Sequence, residues 1–173
     1  MTQIDALALQ QVIDAHAAAL TLYARQWCQT PEDAVQEALI NLLRQNPAPA
    51  NVAAWLYTTV RRRAINLARA EGRRAKHQAI AGRQRDYWFA PNDSSLDEPD
   101  YEKLLTRLPQ LEREIIVARI WGERSFAEIA ALVEQPMSTV HRKYQRGLAE
   151  LEQMINEFEE SRQTDESRSP LSR

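Results

Sequence analysis

The sequence predicts an all-α protein of two small helical domains joined by a flexible linker, and three observations point there. Its 173 residues hold only 4 glycines and 7% aromatics against abundant Ala, Leu, Arg, Glu and Gln, a balance that favours helix over sheet. Apolar residues recur every three or four positions almost throughout. Between two such blocks lies an acidic stretch with Pro91, Asn92, Asp93, Ser94, Ser95, Pro99 and Asp100, a linker by composition. The length leaves room for one ordinary domain or two small ones.

The elements follow in order. Leu9, Ile13, Ala17, Leu20 and Ala24 set a first helix over residues 4–28. Thr30 can cap the next helix, Pro31 suits its first turn, and Glu32 and Asp33 complement the positive end of its dipole. That helix runs to about Gln45 and breaks at Pro47 and Pro49. Asn51 caps a long third helix over residues 52–76 or further. The second block starts near Tyr101, and Pro109 opens a helix that reaches Trp121 and Gly122. Ser125 and Glu128 form a capping box for a short helix to Val133. A last helix covers residues 137–159. The resulting division is a domain at 1–86, a linker at 87–100, a domain at 101–160 and a disordered, apolar-poor tail at 161–173.

The formal net charge of −2 hides a segregation. Residues 61–88 hold 9 basic and 2 acidic side chains, while residues 1–60, 89–104 and 151–173 are each net acidic. The N-terminus lacks a basic-then-apolar signal pattern, and no apolar run reaches the ~18 residues of a membrane span, which predicts a cytoplasmic protein without membrane insertion. A single cysteine, Cys28, excludes an internal disulfide and a CxxC metal clamp. His16, His77 and His141 are scattered, and no carboxylate cluster faces a basic pocket. No metal, cofactor or catalytic group is expected, and the chain does not read as an enzyme.

On the third helix, Ala53, Leu56, Val60, Ala64 and Leu67 make a core stripe. Trp55, Thr58, Arg62, Asn66, Arg69, Arg73 and Lys76 fall opposite, three or four apart. Such a row suits a nucleic-acid strand: arginines neutralise phosphates with release of counterions, and a tryptophan stacks on an unpaired base for about 1–3 kcal/mol. Like charges at this spacing repel, and only Glu71 offsets them internally, which points to an external anion.

The second helix turns Val35, Ala38, Leu39 and Leu42 inward. Asp33, Gln36, Glu37, Asn41 and Arg44 face out with Ile40 among them, an acidic face holding an aliphatic residue that suits a partner helix. Residues 125–133 and 137–159 have the size and order of a helix–turn–helix. Phe126, Ile129, Ala130 and Val133 pack the first of these helices, and Val140, Tyr144, Leu148, Leu151 and Ile155 line the second. Its N-terminal half presents Ser138, Thr139, Arg142, Gln145 and Arg146, residue types that reach base edges and phosphates in a major groove. The turn Glu134-Gln135-Pro136 lacks the usual glycine.

Two blocks in this order resemble a known family. Residues 31–77, with AWLYTTVRRRAINLARAEGRRAKH, resemble sigma region 2, and residues 104–151, with ERSFAEIAALVEQPMSTVHRKYQRGLAEL, resemble sigma region 4. A linker too short for a region 3 domain matches extracytoplasmic-function sigma factors of the sigma-70 superfamily. The resemblance implies an RNA polymerase sigma factor whose partners are core polymerase, promoter DNA and, as in many relatives, an anti-sigma factor. It implies core docking through Asp33, Gln36, Glu37, Ile40 and Asn41, and capture of a flipped −10 base by the loop 46–51. It further implies −10 reading and melting by Trp55, Thr58, Arg61, Arg62, Asn66, Arg69, Arg73 and Lys76. The −35 element falls to Ser138, Thr139, Arg142, Lys143, Gln145 and Arg146. Arg62 stands where many relatives have Asn, Asn66 where many have Asp, Glu134 for the turn glycine and Ser138 for a Gly, so positions carry over while base preferences do not.

Two other readings fit parts of the chain. A conventional helix–turn–helix transcriptional regulator predicts a homodimer that binds duplex tightly without polymerase. A nucleic-acid enzyme such as a recombinase requires a nucleophilic or metal-binding constellation that the sequence does not offer.

Overall fold

Several helices open on a recognisable local device. The computed structural model describes residues 4–78 and 101–168. The linker 87–100 and the domain boundary at residue 86 lie outside the described residues. Helix α1 (Ala6–Ala24) opens on Asp5, whose carboxylate accepts the Ala8 N–H at 2.8 Å. Helix α2 (Pro31–Leu43) has Pro31 in its first turn followed by Glu32 and Asp33. Thr30, expected to cap it, makes no side-chain cap bond; its backbone carbonyl accepts the Asp33 N–H at 3.2 Å instead. Helix α3 (Val52–Gln78) begins where Asn51 Oδ1 accepts the Ala54 N–H at 2.9 Å, as the sequence predicts.

Helices α4 (Tyr101–Arg107) and α5 (Gln110–Ile120) flank Leu108 and Pro109. Ser125 opens α6 (Phe126–Val133) with the full capping box: its hydroxyl accepts the Glu128 N–H, and Glu128 accepts the Ser125 N–H at 2.8 Å. The turn to α7 (Met137–Arg168) does without glycine because Glu134 itself takes the left-handed conformation, φ 56° and ψ 42°. A non-glycine residue there costs on the order of 1 kcal/mol, which the surrounding packing sustains. Helix α7 also runs further than expected. The stretch predicted as a disordered tail from Ser161 stays helical through Arg168, and Ser161 Oγ donates back to the Glu157 carbonyl at 2.8 Å. Its Glu, Gln and Arg residues are good helix formers, so a helix already nucleated propagates without an apolar face.

Among the described residues there are seven helices and no strand, in two helical domains. Leu20, Ala34, Ala38, Leu42, Leu56, Val60 and Ala64 fill the first, α1–α3. Ile115, Ile116, Val117, Ile129 and Val140 fill the second, α4–α7. Helices α5 and α7 cross closely at Gly147, where a Cβ would stand 2.6 Å from Ile116 Cδ1. The two cores run together into one cluster: α1 packs on α5, and α3 packs on α6.

Candidate nucleic-acid interface

Helix α3 divides as its periodicity requires. Leu56, Val60 and Ala64 are fully buried, and Thr58, Arg62, Asn66, Arg69, Arg73 and Lys76 are exposed along the other side. Trp55, expected on the outer row, is half-buried and packs against the core. Thr58 uses its hydroxyl on the Ala54 carbonyl at 2.9 Å. Four long cationic side chains on one helix face, Arg62, Arg69, Arg73 and Lys76, thus stand ready for an external polyanion.

Arg61 does not join that row. Its Nε donates to Glu114 Oε1 at 2.7 Å, across from the second domain, and its side chain retains only 29% exposure against 3% for Glu114. The same carboxylate oxygen accepts the Tyr23 hydroxyl at 2.6 Å. Burial works against the Arg61 charge, but the bond and charge of Glu114 more than offset it, with Tyr23 and Glu134 adding, and its pKa is held above the ordinary value. Burial first, then Glu114, raises the Tyr23 phenol well above its usual range. Asn51, at the end of the loop 46–51, donates from Nδ2 to Glu128 Oε1 at 3.1 Å, a second polar bond between the domains. Arg124 lies 5.6 Å above the Tyr57 ring, and Gly122 sits so close that a Cβ would meet Tyr57 Oη at 2.5 Å.

In the helix–turn–helix, Phe126 packs edge-on against His141 and Tyr144, with centroids 5.1 and 5.2 Å away, and fixes α6 on α7. Ser138, Arg142, Gln145 and Arg146 are exposed and Thr139 is half-buried. Lys143 is turned the other way, its Nζ 2.9 Å from the buried Glu112. Arg146 pairs with Glu150 at 2.9 Å on the surface. On α2, Asp33, Gln36, Glu37 and Ile40 are exposed, Ile40 to 42%, while Asn41 is half-buried. Glu37 lies 3.3 Å from Arg63 of α3.

Tyr23, Tyr57, Glu114 and Arg124, the residues that join the domains, escaped the sequence reading. One signal was available: Glu112 and Glu114 both fall within a helix whose other faces carry Leu111, Ile115, Ile116 and Val117. An acid embedded in such a helix requires a buried partner. Among the described residues no group of His, Cys, Asp and Glu could hold a metal, and no helix is long and apolar enough to cross a membrane.

Comparison with known proteins agrees with this division. Residues 12–74 match the family model for sigma-70 region 2, and residues 100–151 match that for sigma-70 region 4. The ECF RNA polymerase sigma factor RpoE of Cereibacter sphaeroides is 28% identical over 121 residues, 64% of this chain. The chain spans 62% of that curated relative's length. In fold it is similar to the sigma factor RpoE of Bartonella quintana, solved with the anti-sigma factor NepR, at a TM-score of 0.66 and 22% identity over 85% of this chain and 95% of that one. It is likewise similar to CnrH, solved with the cytosolic domain of CnrY, at 0.56 and 21% over 88% and 90%. Region 2 on α1–α3 and region 4 on α4–α7, in that order, place the chain in the sigma-70 family, in the two-region layout of the extracytoplasmic-function sigma factors.

Proposed function

We propose that this chain is an RNA polymerase sigma factor that brings core polymerase to a set of promoters and starts transcription there. One observation carries the reading: a single chain of this family presents two exposed helix faces suited to DNA, the cationic row on α3 and the N-terminal half of α7. In this reading α2 docks on the polymerase through Asp33, Gln36, Glu37, Ile40 and Asn41. Region 2 takes the −10 element, with the loop 46–51 receiving a flipped base and Trp55 bracing the opened strand. Thr58, Arg61, Arg62, Asn66, Arg69, Arg73 and Lys76 follow its backbone. Region 4 reads the −35 element with Ser138, Thr139, Arg142, Gln145 and Arg146, while Lys143 steadies the motif through Glu112. The chain catalyses no reaction of its own and works in the cytoplasm. The similar fold solved with the anti-sigma factor NepR supports a partner of that kind here as well.

The test is reconstitution. Purified chain and core polymerase should form a stable complex that initiates run-off transcription from a defined promoter subset of a fragmented genome. Tight duplex binding by a dimer of the chain, with no association with core polymerase, overturns the reading in favour of a conventional regulator.

A further inference from the structure

We propose that Glu114 is an intramolecular latch: it closes region 4 onto region 2 by occupying Arg61, so the promoter strand must displace a carboxylate to engage that guanidinium. The inference deepens the sigma-factor reading and rests on it.

Glu114 is a charge that region 4 buries at an interface with region 2. A buried carboxylate is unfavourable unless it is paired and hydrogen-bonded, and both of its bonds, to Tyr23 and Arg61, come from region 2. The bond to Arg61 therefore exists only while the domains are closed. Arg61 adjoins Arg62 of the exposed row and belongs to the same positively charged segment. A carboxylate and a phosphate present the same kind of acceptor to a guanidinium, so one can replace the other. The second polar bond acts in the same sense, since Glu128 holds Asn51 at the end of the loop assigned to the flipped base.

The closed interface is built to part. Tyr57 Oη is buried without a hydrogen-bond partner among the described residues, a defect that closure imposes and opening relieves. Meanwhile Ser138, Arg142, Gln145 and Arg146 on α7 stay exposed in the closed form. The latch is thus one-sided: it withholds part of the −10 surface and leaves the −35 surface accessible. Region 4 can meet duplex first, and strand capture follows once Arg61 is released.

The test uses the full chain without polymerase. Small-angle scattering should show the parent compact and Glu114→Ala expanded, with circular dichroism unchanged. Fluorescence anisotropy with a labelled 12-nucleotide single strand of mixed sequence should show Glu114→Ala binding roughly tenfold tighter than the parent, the worth of one charge-assisted bond. In an Arg61→Ala background the Glu114→Ala change should no longer alter strand affinity. If Glu114→Ala loses its helical signal, Tyr23→Phe, which removes one hydroxyl, takes its place and should give smaller shifts in the same directions. A variant as compact as the parent overturns the latch. An expanded variant with unchanged strand affinity overturns the competition for Arg61. Neither result touches run-off transcription by the parent with core polymerase, which fails only if the sigma-factor reading is wrong.

Discussion

Burial pushes the Cys28 thiol up to about 11, and the nearby carboxylate of Glu71 adds to the effect. The thiolate is the reactive form, so Cys28 should be alkylated by iodoacetamide at least ~100-fold more slowly in the native protein at mildly alkaline pH than in denaturant. Comparable rates would show that the α1 end opens freely. His16 behaves in the opposite sense: burial, with Arg124 adding and Glu123 opposing, holds its pKa below the ordinary 6.5. The unfolded chain then takes the proton first as pH falls. The stability that neutral His16 contributes is complete above 6.5 and is lost as pH drops from there through the lower folded value. His16→Gln should therefore show a smaller fall in Tm between about pH 7.5 and about pH 5.5 than the parent. An equal fall in both proteins would show that His16 does not titrate in that range.

At the scale of elements, the caps carry much of the order. Ser125→Ala removes one half of the capping box at α6 and should lower unfolding free energy by about 1 kcal/mol in urea titration. Because Glu128 also accepts from Asn51, the loss should reach the start of α3 as faster hydrogen exchange at Ala54. Protection unchanged at Ala54 would separate the two caps. On α2, Glu37 and Arg63 form an exposed pair that contributes at most about 1 kcal/mol. Replacing Asp33 and Glu37 together with Lys should leave the Tm within a few degrees while weakening core-polymerase binding more than about twofold. Affinity within that margin would make the acidic face a merely solvated one.

The helices, the Asn51 and Ser125 caps and the exposed faces of α3 and α7 were legible in the sequence because period, prolines and capping residues mark them locally, whereas Thr30 was misread as a cap. Periodicity reads one buried stripe per helix, however, and α3 is covered twice: by α1 and α2 along Leu56, Val60 and Ala64, and by region 4 at Tyr57 and Arg61. Tyr57 and Arg61 lay off the predicted stripe, so their burial was invisible until α5 and α6 were in place. The end of α7 failed differently, since polarity was read as disorder where helix propensity alone continues the turn.

For the whole molecule, charge and closure bear on the same event. A chain of net charge −2 whose large net positive charge is concentrated in residues 61–88 gains little from bulk attraction to duplex. Placement on a promoter must come from specific contacts, and the closed form leaves those of α7 accessible. Arg142 is the cleanest probe, being exposed and without an ion pair or hydrogen bond among the described residues, so its removal costs the fold nothing. Holoenzyme carrying Arg142→Ala should bind a promoter with an intact −35 element roughly 5- to 150-fold more weakly, the range of one base contact of about 1–3 kcal/mol. On a template with that element scrambled, the same substitution should change closed-complex affinity little, because the contact it deletes is already gone. A penalty of equal size on both templates would mean that Arg142 touches phosphate rather than base. Its effect would then follow salt concentration in place of sequence, and the reading of the −35 element would pass to Ser138, Thr139 and Gln145.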